Sequence, residues 1–319
     1  MTGADDIQPW GELPPEAEAA VGFEVPPGYR AGYVVLLGRP NVGKSTLVNA
    51  LVGERLAPIS PVPQTTRRRL LGILSRDDAQ VVFVDTPGIH QPSHKLNELM
   101  VESAEKALAD ADLVLCIVDA TRAPGEEDGL VLKTAQRSPA PKFLVVNKRD
   151  LAADGGHQRA FEELAGLEQV FATSAVTGEG LETLLEAVVE ALPESPPYFP
   201  PDQITDVYER EIAAELIREA ALTVLQQEVP HALAVKVEAW QERPNGMLYI
   251  HAYLVIERDS QKGIVIGQGG RTLKTIGTRA RSKLEGWLDQ RVYLELQVKV
   301  MRQWRKNEQS LRWLGFYRD

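Results

Sequence analysis

Gly38-Arg39-Pro40-Asn41-Val42-Gly43-Lys44-Ser45-Thr46 lies between an apolar, strand-like run over 33–37 and a helical pattern that begins at Leu47. This is the spacing G-x-x-x-x-G-K-[ST], in the strand–loop–helix context that a phosphate-binding loop requires. Its glycines let backbone N–H groups turn towards a β-phosphate, and the following helix presents its positive N-terminus to the same anion. We predict that the loop binds a nucleotide; the alternative is a glycine-rich turn between a core strand and a helix.

The side chains at the end of this loop suit phosphate and metal binding. We expect Lys44 to bridge the β- and γ-phosphates and the Ser45 hydroxyl to ligate Mg²⁺. The predicted nucleotide contacts are Gly38, Arg39, Pro40, Asn41, Val42, Gly43, Lys44, Ser45 and Thr46.

The run Asn147-Lys148-Arg149-Asp150 predicts which base is bound. It ends an apolar run over 143–146, so it lies at the carboxyl edge of a buried strand, where open α/β sheets bind ligands. The Asp150 carboxylate can accept hydrogen bonds from guanine N1–H and the exocyclic amino group, whereas adenine would leave it unpaired. Asn147 would pair with the guanine or tie loops together. We therefore predict GTP, with base contacts from Asn147, Lys148, Arg149, Asp150, Ser174 and Ala175.

Two segments between these motifs are predicted to sense the γ-phosphate. The apolar run over 81–84 delivers Asp85 to the Mg²⁺ shell, and the Gly88 N–H can meet the γ-phosphate. In the loop over 64–67, one of Thr65 and Thr66 would complete Mg²⁺ coordination while the γ-phosphate is present, and spacing favours Thr65; the alternative is a plain polar loop. The predicted metal ligands are Ser45, Thr65 and Asp85, and Thr86, Pro87, Gly88 and Ile89 complete the nucleotide contacts.

Length and composition bound the possible classes of protein. A chain of 319 residues fits two modest domains. Cys116 is the only cysteine and lies in an apolar run, so we expect a buried thiol and no disulfide. Residues 1–30 carry six acidic residues against one arginine, which predicts a disordered acidic tail. Without a secretory signal or membrane span, the expected location is the cytoplasm.

The net charge of −10 conceals an asymmetry along the chain. Residues 228–319 hold 16 lysines and arginines against 10 acidic residues, a net charge of +6, so the rest of the chain carries −16. Only this second part suits a polyanion. Alternating strand-like and helical segments predict a GTP-binding domain over 31–192 with a mostly parallel α/β sheet. A proline-rich run then predicts a stiff linker over 193–205, followed by a second domain over 206–319.

The second domain is predicted to be a small α+β unit. Periodicity indicates a helix over 207–229, strands over 233–240 and 247–256, a helix over 271–289 and a strand over 292–300. The run Gly267-Gln268-Gly269-Gly270 precedes the second helix. This order resembles a KH domain of the prokaryotic topology (type II), in which a Gly-x-x-Gly loop approaches an RNA backbone. The alternative is an ordinary α+β domain with a solvated basic face.

That resemblance implies a set of RNA contacts. The loop Gly267, Gln268, Gly269 and Gly270 would approach the backbone, and Arg271, Lys274 and Arg281, with Arg279 and Lys283, would hold phosphates. Ile264, Ile266 and Ile276 would line the groove for the bases. The tail from Met301, with Trp304, would stack on bases or pack over the domain, and we favour partial RNA contact.

The five nucleotide motifs, in this order and spacing, resemble those of the translation-factor-related GTPases, and the whole set from 31 onwards is most similar to the Era subfamily. The resemblance implies a monomeric GTPase that hydrolyses GTP to GDP and phosphate with Mg²⁺, with Lys44, Thr65 and Gly88 as catalytic residues. It also implies binding to the 3′ region of small-subunit ribosomal RNA during assembly of the small ribosomal subunit. Two alternatives are an RNA chaperone with GTP as a structural ligand and a signalling GTPase on the inner face of the cell membrane.

Two positions bear on the hydrolysis rate. Ras-type enzymes orient the attacking water with a glutamine just beyond Asp-x-x-Gly, where this chain has Ile89. We therefore predict slow basal turnover. Asn41 has two interpretations, a K⁺ ion held beside the phosphates or an amide that stabilises the loop, and equal hydrolysis in Na⁺ and K⁺ would exclude the first.

Overall fold

The computed structural model describes residues 25–54, 56, 67, 69–89, 95–152, 156–206, 209–225 and 229–317. Most of the predicted acidic tail lies outside the described residues, as do Thr65 and Thr66. No helix in the described part of the chain combines the length and the apolar character needed to cross a membrane.

The first domain is built on a six-stranded sheet, which confirms the predicted α/β class. In space the strands run β2-β3-β1-β4-β5-β6, and only β2 is antiparallel to its neighbour. Because the other strands are parallel, their carboxyl ends meet at one edge. The strands are β1 (Arg30–Leu37), β2 (Leu70–Ser75), β3 (Ala79–Asp85), β4 (Leu113–Asp119), β5 (Lys142–Asn147) and β6 (Val170–Ala172).

Helices cover both faces of this sheet, so its central strands are apolar on both sides. The helices are α1 (Lys44–Val52), α2 (Lys95–Ala109), α3 (Glu126–Ala135), α4 (Gln158–Ala165) and α5 (Leu181–Ala191). The face with Leu36 and Ile117 packs against α1 and α5, and the face with Cys116 packs against α2, α3 and α4. Burial raises the pKa of the Cys116 thiol to about 12, which confirms the expected buried cysteine.

The proline-rich segment over 193–205 lies along the first domain. The buried amide of Gln80 accepts hydrogen bonds from Tyr198 N and Phe199 N, at 2.7 and 3.0 Å, and donates one to Phe199 O at 2.8 Å. Further along, Ile73 N in β2 donates to Ile204 O at 2.9 Å. Proline cannot donate a backbone hydrogen bond, so the bonds to this segment use its carbonyls and its few N–H groups.

The described part of the second domain contains a three-stranded sheet, whose first two strands along the chain are antiparallel and whose last two are parallel. The predicted strands and the helix over 271–289 are confirmed to within two residues, but the first helix ends at Leu222 rather than 229. The elements are α6 (Glu209–Leu222), α7 (Val229–Ala232), β7 (Ala234–Glu242), β8 (Leu248–Ile256), α8 (Asp259–Ile266), α9 (Arg271–Leu288), β9 (Val292–Val300) and α10 (Glu308–Trp313).

Helix α8, just before the glycine loop, was not predicted from the sequence. It is short and carries Gly263, which weakens a helical pattern. The sequence contains one helix-start signal here, which is Gln261 at the third position of the helix. Its side chain accepts hydrogen bonds from the N–H groups of Glu257 and Arg258, each at 3.0 Å. This is the glutamine half of a capping box.

The core of the second domain lies between the sheet and helices α6 and α9. Ile276 on α9 is fully buried in this core, beside Ala280 and Leu284. The prediction that Ile276 lines an RNA groove is therefore wrong, because its side chain packs against the sheet. Ile264 on α8, by contrast, is 45% exposed.

A second apolar cluster joins the two domains. Trp304 is fully buried, donates from Nε1 to Ala232 O at 2.8 Å, and packs with Leu96 and Met100 of α2. Leu96 N also donates to Arg305 O at 3.1 Å. The predicted contact between Trp304 and RNA bases is therefore wrong, because Trp304 belongs to the interdomain interface.

Arg67 adds a buried charge to the same interface. It is 5% exposed and its Nη1 donates to Leu233 O of the second domain at 2.6 Å. The guanidinium carbon lies 5.8 Å from the ring centroid of Trp304. Burial lowers the pKa of Arg67 to about 9, so the group remains charged at neutral pH. A buried charge with specific partners makes the interface sensitive to any displacement of Arg67.

We expect Arg67→Met to destabilise the interface by about 1–3 kcal/mol, because the buried Leu233 O would lose its donor, a cost that exceeds the relief from burying the charge. The measurement is urea unfolding followed by tryptophan fluorescence. Arg76→Met is the matched control, because Arg76 forms an exposed pair with Asp78 that is worth about 0–1 kcal/mol. Equal effects of the two substitutions would contradict a special role for Arg67.

Candidate functional site

The phosphate-loop residues lie between β1 and α1, at the edge where the parallel strands end. Gly43 has φ of +99°, and a Cβ there would lie 2.4 Å from Asn147 Nδ2. At Gly38 a Cβ would lie 2.7 Å from the carbonyl oxygen of Ile117. Glycine is therefore required at both positions, at Gly43 by backbone conformation and at Gly38 by close approach.

Lys44 begins α1 and is almost fully buried. Its Nζ donates to the carbonyl oxygens of Gly38 and Arg39, at 3.1 and 3.2 Å. Burial lowers the pKa of Lys44 to about 8, although the nearby Asp85 carboxylate opposes this effect. A desolvated ammonium held inside a curl of backbone is suited to receive a phosphate oxygen.

Ser45 and Asp85 come together beside this lysine. Ser45 Oγ donates to Asp85 Oδ2 at 2.6 Å, and Asp85 is fully buried at the end of β3. A hydroxyl and a carboxylate are the hard oxygen ligands that Mg²⁺ prefers when phosphates complete its shell. The pair therefore fits a magnesium site; the third predicted ligand, Thr65, lies outside the described residues.

The segment after Asp85 packs directly on the phosphate loop. Thr86 Oγ1 donates to Leu36 O at 2.6 Å, and Ile89 N donates to Gly38 O at 3.2 Å. A Cβ at Gly88 would lie 2.7 Å from Pro40 N, so Gly88 allows this close contact. The side chain of Ile89 is buried in the core and cannot hydrogen-bond a water molecule.

Asn147 connects the phosphate loop to the loops around the base. Its Nδ2 donates to Val42 O at 3.0 Å, and its Oδ1 accepts from Ala175 N at 3.1 Å and Thr173 Oγ1 at 3.3 Å. Of the two roles considered from the sequence, the structure shows that of tying loops together.

The remaining base-binding residues are held by neighbouring side chains. Asp150 Oδ1 accepts from Ser174 Oγ at 2.6 Å, which fixes the carboxylate that we expect to meet guanine. Lys148 Nζ donates to Asn41 O at 2.6 Å and to Asp119 Oδ2 at 2.8 Å. Lys148 therefore reaches the phosphate loop, and its contact with the base stays a prediction.

Asp119 and Asp128 are site residues that the sequence reasoning missed. Arg39 is 2% exposed, and its Nε donates to Asp128 Oδ1 at 3.1 Å while its Nη2 lies 3.8 Å from Asp119 Oδ2. The Arg39 side chain thus faces these carboxylates, and only its backbone remains for the predicted phosphate contact. Burial acts to raise the pKa of Asp119, but hydrogen bonds from Lys148 and Thr121 lower it overall. Asp119 is the last residue of β4, as Asp85 is the last residue of β3. This shared position at the end of a strand is the sequence signal that could have identified Asp119 as a site residue.

The predicted RNA loop has the backbone that its glycines allow. Gly267, Gly269 and Gly270 have φ values of +72°, +60° and +79°. A Cβ at Gly267 would lie 2.2 Å from Thr272 Oγ1, so this position requires glycine. The loop leads into α9, whose N-terminus faces the same side and favours an anion.

Helix α9 separates the predicted phosphate-binding side chains into two groups. Arg271, Lys274 and Arg281 are exposed on one face. Arg279 and Lys283 instead contact α6 and the turn after it. Arg279 Nη1 donates to Thr223 Oγ1 at 3.0 Å, and Lys283 Nζ lies 2.8 Å from Glu219 Oε1. Arg279 and Lys283 therefore join two helices in this structure, and their contact with phosphates stays a prediction.

We expect Lys44→Met to stabilise the nucleotide-free protein by about 1–3 kcal/mol at pH 7, since burying the ammonium costs free energy. Because the pKa of Lys44 is lowered, between about pH 8 and 10.5 the unfolded chain binds a proton that the folded chain has lost. The free energy of unfolding of the wild type therefore rises over this range, and the stability difference between Lys44→Met and the wild type becomes smaller. Urea unfolding at several pH values measures this. Lys133→Met, on an exposed face of α3, is the control, and a less stable Lys44→Met protein at pH 7 would contradict the expectation.

Two family models match the chain, one described as "50S ribosome-binding GTPase" over residues 33–148 and one as "KH domain" over 228–305. Similar proteins include GTPase Era of Geobacter metallireducens, 46% identical over 292 residues that cover 90% of this chain and 98% of the relative. GTPase Era of Heliobacterium modesticaldum is 43% identical, with 90% and 97% covered.

Solved structures agree with these matches. One is Era in complex with MgGDPNP and nucleotides 1506–1542 of 16S ribosomal RNA, with a TM-score of 0.86, 38% identity, and 90% of this chain and 99% of that chain covered. Another is a variant of Aquifex aeolicus Era bound to GDP and AlF4⁻, with a TM-score of 0.84, 38% identity and the same coverage. Identity at this level over nearly the full length of both chains shows common descent. The chain belongs to the Era family of GTPases.

Proposed function

We propose that this GTPase is a molecular switch that binds the 3′ region of small-subunit ribosomal RNA and assists assembly of the small ribosomal subunit. The observation that carries the proposal is a buried interface that joins the domain with the guanine-nucleotide motifs to the domain with the Gly-x-x-Gly loop. The Era protein solved with MgGDPNP and 16S ribosomal RNA supports the choice of RNA. We propose that the protein is a monomer and that it is located in the cytoplasm.

Hydrolysis in this proposal is attack of water on the γ-phosphate. Lys44 and the backbone N–H groups of the phosphate loop would stabilise the charge that develops there, and the N–H of Gly88 would bind a γ-phosphate oxygen. A bound Mg²⁺, held by Ser45 and Asp85 and by the proposed ligand Thr65, would neutralise charge on the β- and γ-phosphates.

The rate of this hydrolysis is proposed to be slow without an activator. Ile89 occupies the position that in Ras-type enzymes orients the water, and its side chain is buried. Asn41, whose φ is +64°, stays the candidate position for K⁺ binding, and its role as a loop-stabilising amide stays the alternative. Comparison of hydrolysis in K⁺ and Na⁺ distinguishes the two.

Both γ-phosphate-sensing segments lead to the interface with the RNA-binding domain. The segment from Asp85 to Gly88 precedes α2, which carries the interface residues Leu96 and Met100. Arg67 closely follows the proposed ligand Thr65 and donates to Leu233 O in the second domain. A change in either segment would therefore act on contacts with the RNA-binding domain, which supports a switch rather than a structural role for GTP.

The RNA surface is proposed to consist of Gly267–Gly270 and the exposed side of α9. Arg271, Lys274 and Arg281 lie on this side, in the basic part of the chain. The glycines allow an RNA backbone to approach the N-terminus of α9, and the three cations would contact phosphates. The alternative to RNA is the inner face of the cell membrane, which the same cations would contact.

The test of the function measures binding of a fluorescent RNA with the sequence of nucleotides 1506–1542 of 16S ribosomal RNA. We expect tight binding with a non-hydrolysable GTP analogue and weaker binding with GDP, and the ratio of affinities gives the coupling free energy. Equal affinity would support the RNA chaperone with structural GTP. Binding to anionic vesicles that this RNA does not displace would support the membrane-associated alternative.

The RNA surface is tested by Lys274→Ala with Arg281→Ala. We expect the affinity to fall about tenfold or more and the slope of log affinity against log salt to become shallower by about 1.4, for two lost contacts with single-stranded RNA. Arg159→Ala removes one exposed charge from the first domain and should change neither quantity. Unchanged salt dependence in the double variant would place the RNA elsewhere.

A further inference from the structure

The sheet of the second domain has a second face, opposite to α6 and α9. On β8, Ile250, Ala252 and Leu254 are fully buried towards the helices, so the alternating residues Tyr249, His251 and Tyr253 point to the other side. The parallel register pairs Tyr249 with Tyr293 and His251 with Glu295 of β9. The outward face of this sheet therefore carries a row of aromatic rings where water usually meets polar side chains.

One end of this row is an open group of two tyrosines and an arginine. The guanidinium carbon of Arg243 lies 4.8 Å from the ring centroid of Tyr249 and 4.7 Å from that of Tyr293. The two rings lie 6.0 Å apart, and Tyr293 is 50% exposed. Glu295 is the opposing charge, and its carboxylate accepts a hydrogen bond from the Tyr249 hydroxyl at 2.8 Å. We call Arg243, Tyr249 and Tyr293 the tyrosine platform.

The row continues from the tyrosine platform towards two lysines. His251 and Tyr253 have ring centroids 4.9 Å apart. Lys299 Nζ lies 4.9 Å from the Tyr253 centroid and 4.2 Å from that of Trp313, and Lys236 Nζ also lies 4.2 Å from Trp313. From Tyr293 to Lys299 the strand spans roughly 20 Å, at about 3.3 Å per residue.

The interdomain cluster covers one end of this face, including the end of the row at which Tyr253 and Trp313 pack against it. Ala234 and Val255 are buried there against Trp304 and Leu311. The tyrosine platform lies at the opposite end of the strands, because Tyr249 pairs with Gln241 near the end of β7. The tyrosine platform, with Tyr293 50% exposed, therefore remains accessible away from the interface.

We propose that this face is a second RNA-binding surface, which takes a single-stranded segment of the RNA bound at Gly267–Gly270. Bases stack on tyrosine rings and on guanidinium planes with little dependence on sequence, and lysines beside the rings attract the phosphates. The net charge of +6 over residues 228–319 suits this polyanion. The inference rests on the proposed RNA binding and adds a partner segment and a location to it.

The two surfaces cannot be occupied by one short strand. The Gly267–Gly270 loop joins α8 and α9, and α9 packs on the buried face of the sheet. A strand that contacts both surfaces must therefore pass around the edge of the sheet. Long RNA should use both surfaces, whereas an octanucleotide bound at the glycine loop should use one.

The experiment compares two fluorescent RNAs, the sequence of nucleotides 1506–1542 and an octanucleotide from its 3′ end, on the full chain with a GTP analogue. We expect the double variant Arg243→Ala with Tyr293→Ala to bind the long RNA with about ten- to a hundredfold lower affinity, the loss expected for one or two base stacks. Octanucleotide binding should not change. Tyr293→Phe keeps the ring and is the matched control, with affinity expected within about twofold of wild type.

Unchanged affinity of the double variant for the long RNA, with Lys274→Ala still weakening it, would overturn this inference and leave the proposed function intact. Failure of the wild type to bind either RNA would overturn both. Loss of affinity for small ribosomal subunits without loss for RNA would overturn the inference by assigning the face to a protein.

A second measurement does not depend on a variant. Because the side chains of Arg243 and Tyr293 are at the surface, we expect the double variant to fold, but ultraviolet cross-linking of the wild type to the long RNA tests the same surface directly. Cross-links at Tyr249 or Tyr293 are expected, and their absence contradicts the proposal.

Discussion

The side-chain amide of Asn147 holds the nucleotide site together. It bonds to the phosphate loop at Val42 and to the loop after β6 at Ala175, so three segments distant in sequence share one fixed geometry. This is possible because parallel strands bring their carboxyl ends to one edge of the sheet. Gly43 completes the arrangement, since any larger side chain would occupy the space that the amide fills. A rigid site of this kind needs little reorganisation when an anion arrives.

Charge burial gives the molecule its second organising feature. Lys44 and Arg67 are both buried cations with lowered pKa values, but their partners differ. Lys44 bonds to backbone carbonyls at a site suited to phosphate, whereas Arg67 bonds across the domain interface. A buried cation is costly unless its partners are well placed. The two cations are therefore stabilised in different ways, one by the phosphate loop and the other by the domain interface.

Local sequence patterns predicted the features that depend on local rules. The phosphate loop, the strand ends at Asp85 and Asn147, and the glycine loop all follow from residue type and spacing. The errors concern side chains whose surroundings come from distant parts of the chain. Trp304 is buried by Leu96 and Met100, which lie far away in sequence. Ile276 is the exception, because its spacing with Ala280 and Leu284 on α9 is a local helical pattern that already indicates a buried face. Arg279 and Lys283 differ from Arg281 only in direction around α9, and their contacts with α6 and the turn after it fix that direction.

The proline-rich segment has a consequence for the edge of the first sheet. Strand β2 is the last in its sheet, and its outward N–H groups at Leu71 and Ile73 are taken by Asp206 Oδ1 and Ile204 O, at 3.1 and 2.9 Å. An uncovered edge strand is a template for pairing with other chains, and proline-rich cover suppresses such pairing. We therefore expect the segment that joins the two domains also to suppress self-association of the first. A nucleotide-binding domain cut at residue 192 would expose this edge and would be prone to aggregate, whereas one that extends to 206 would keep it capped.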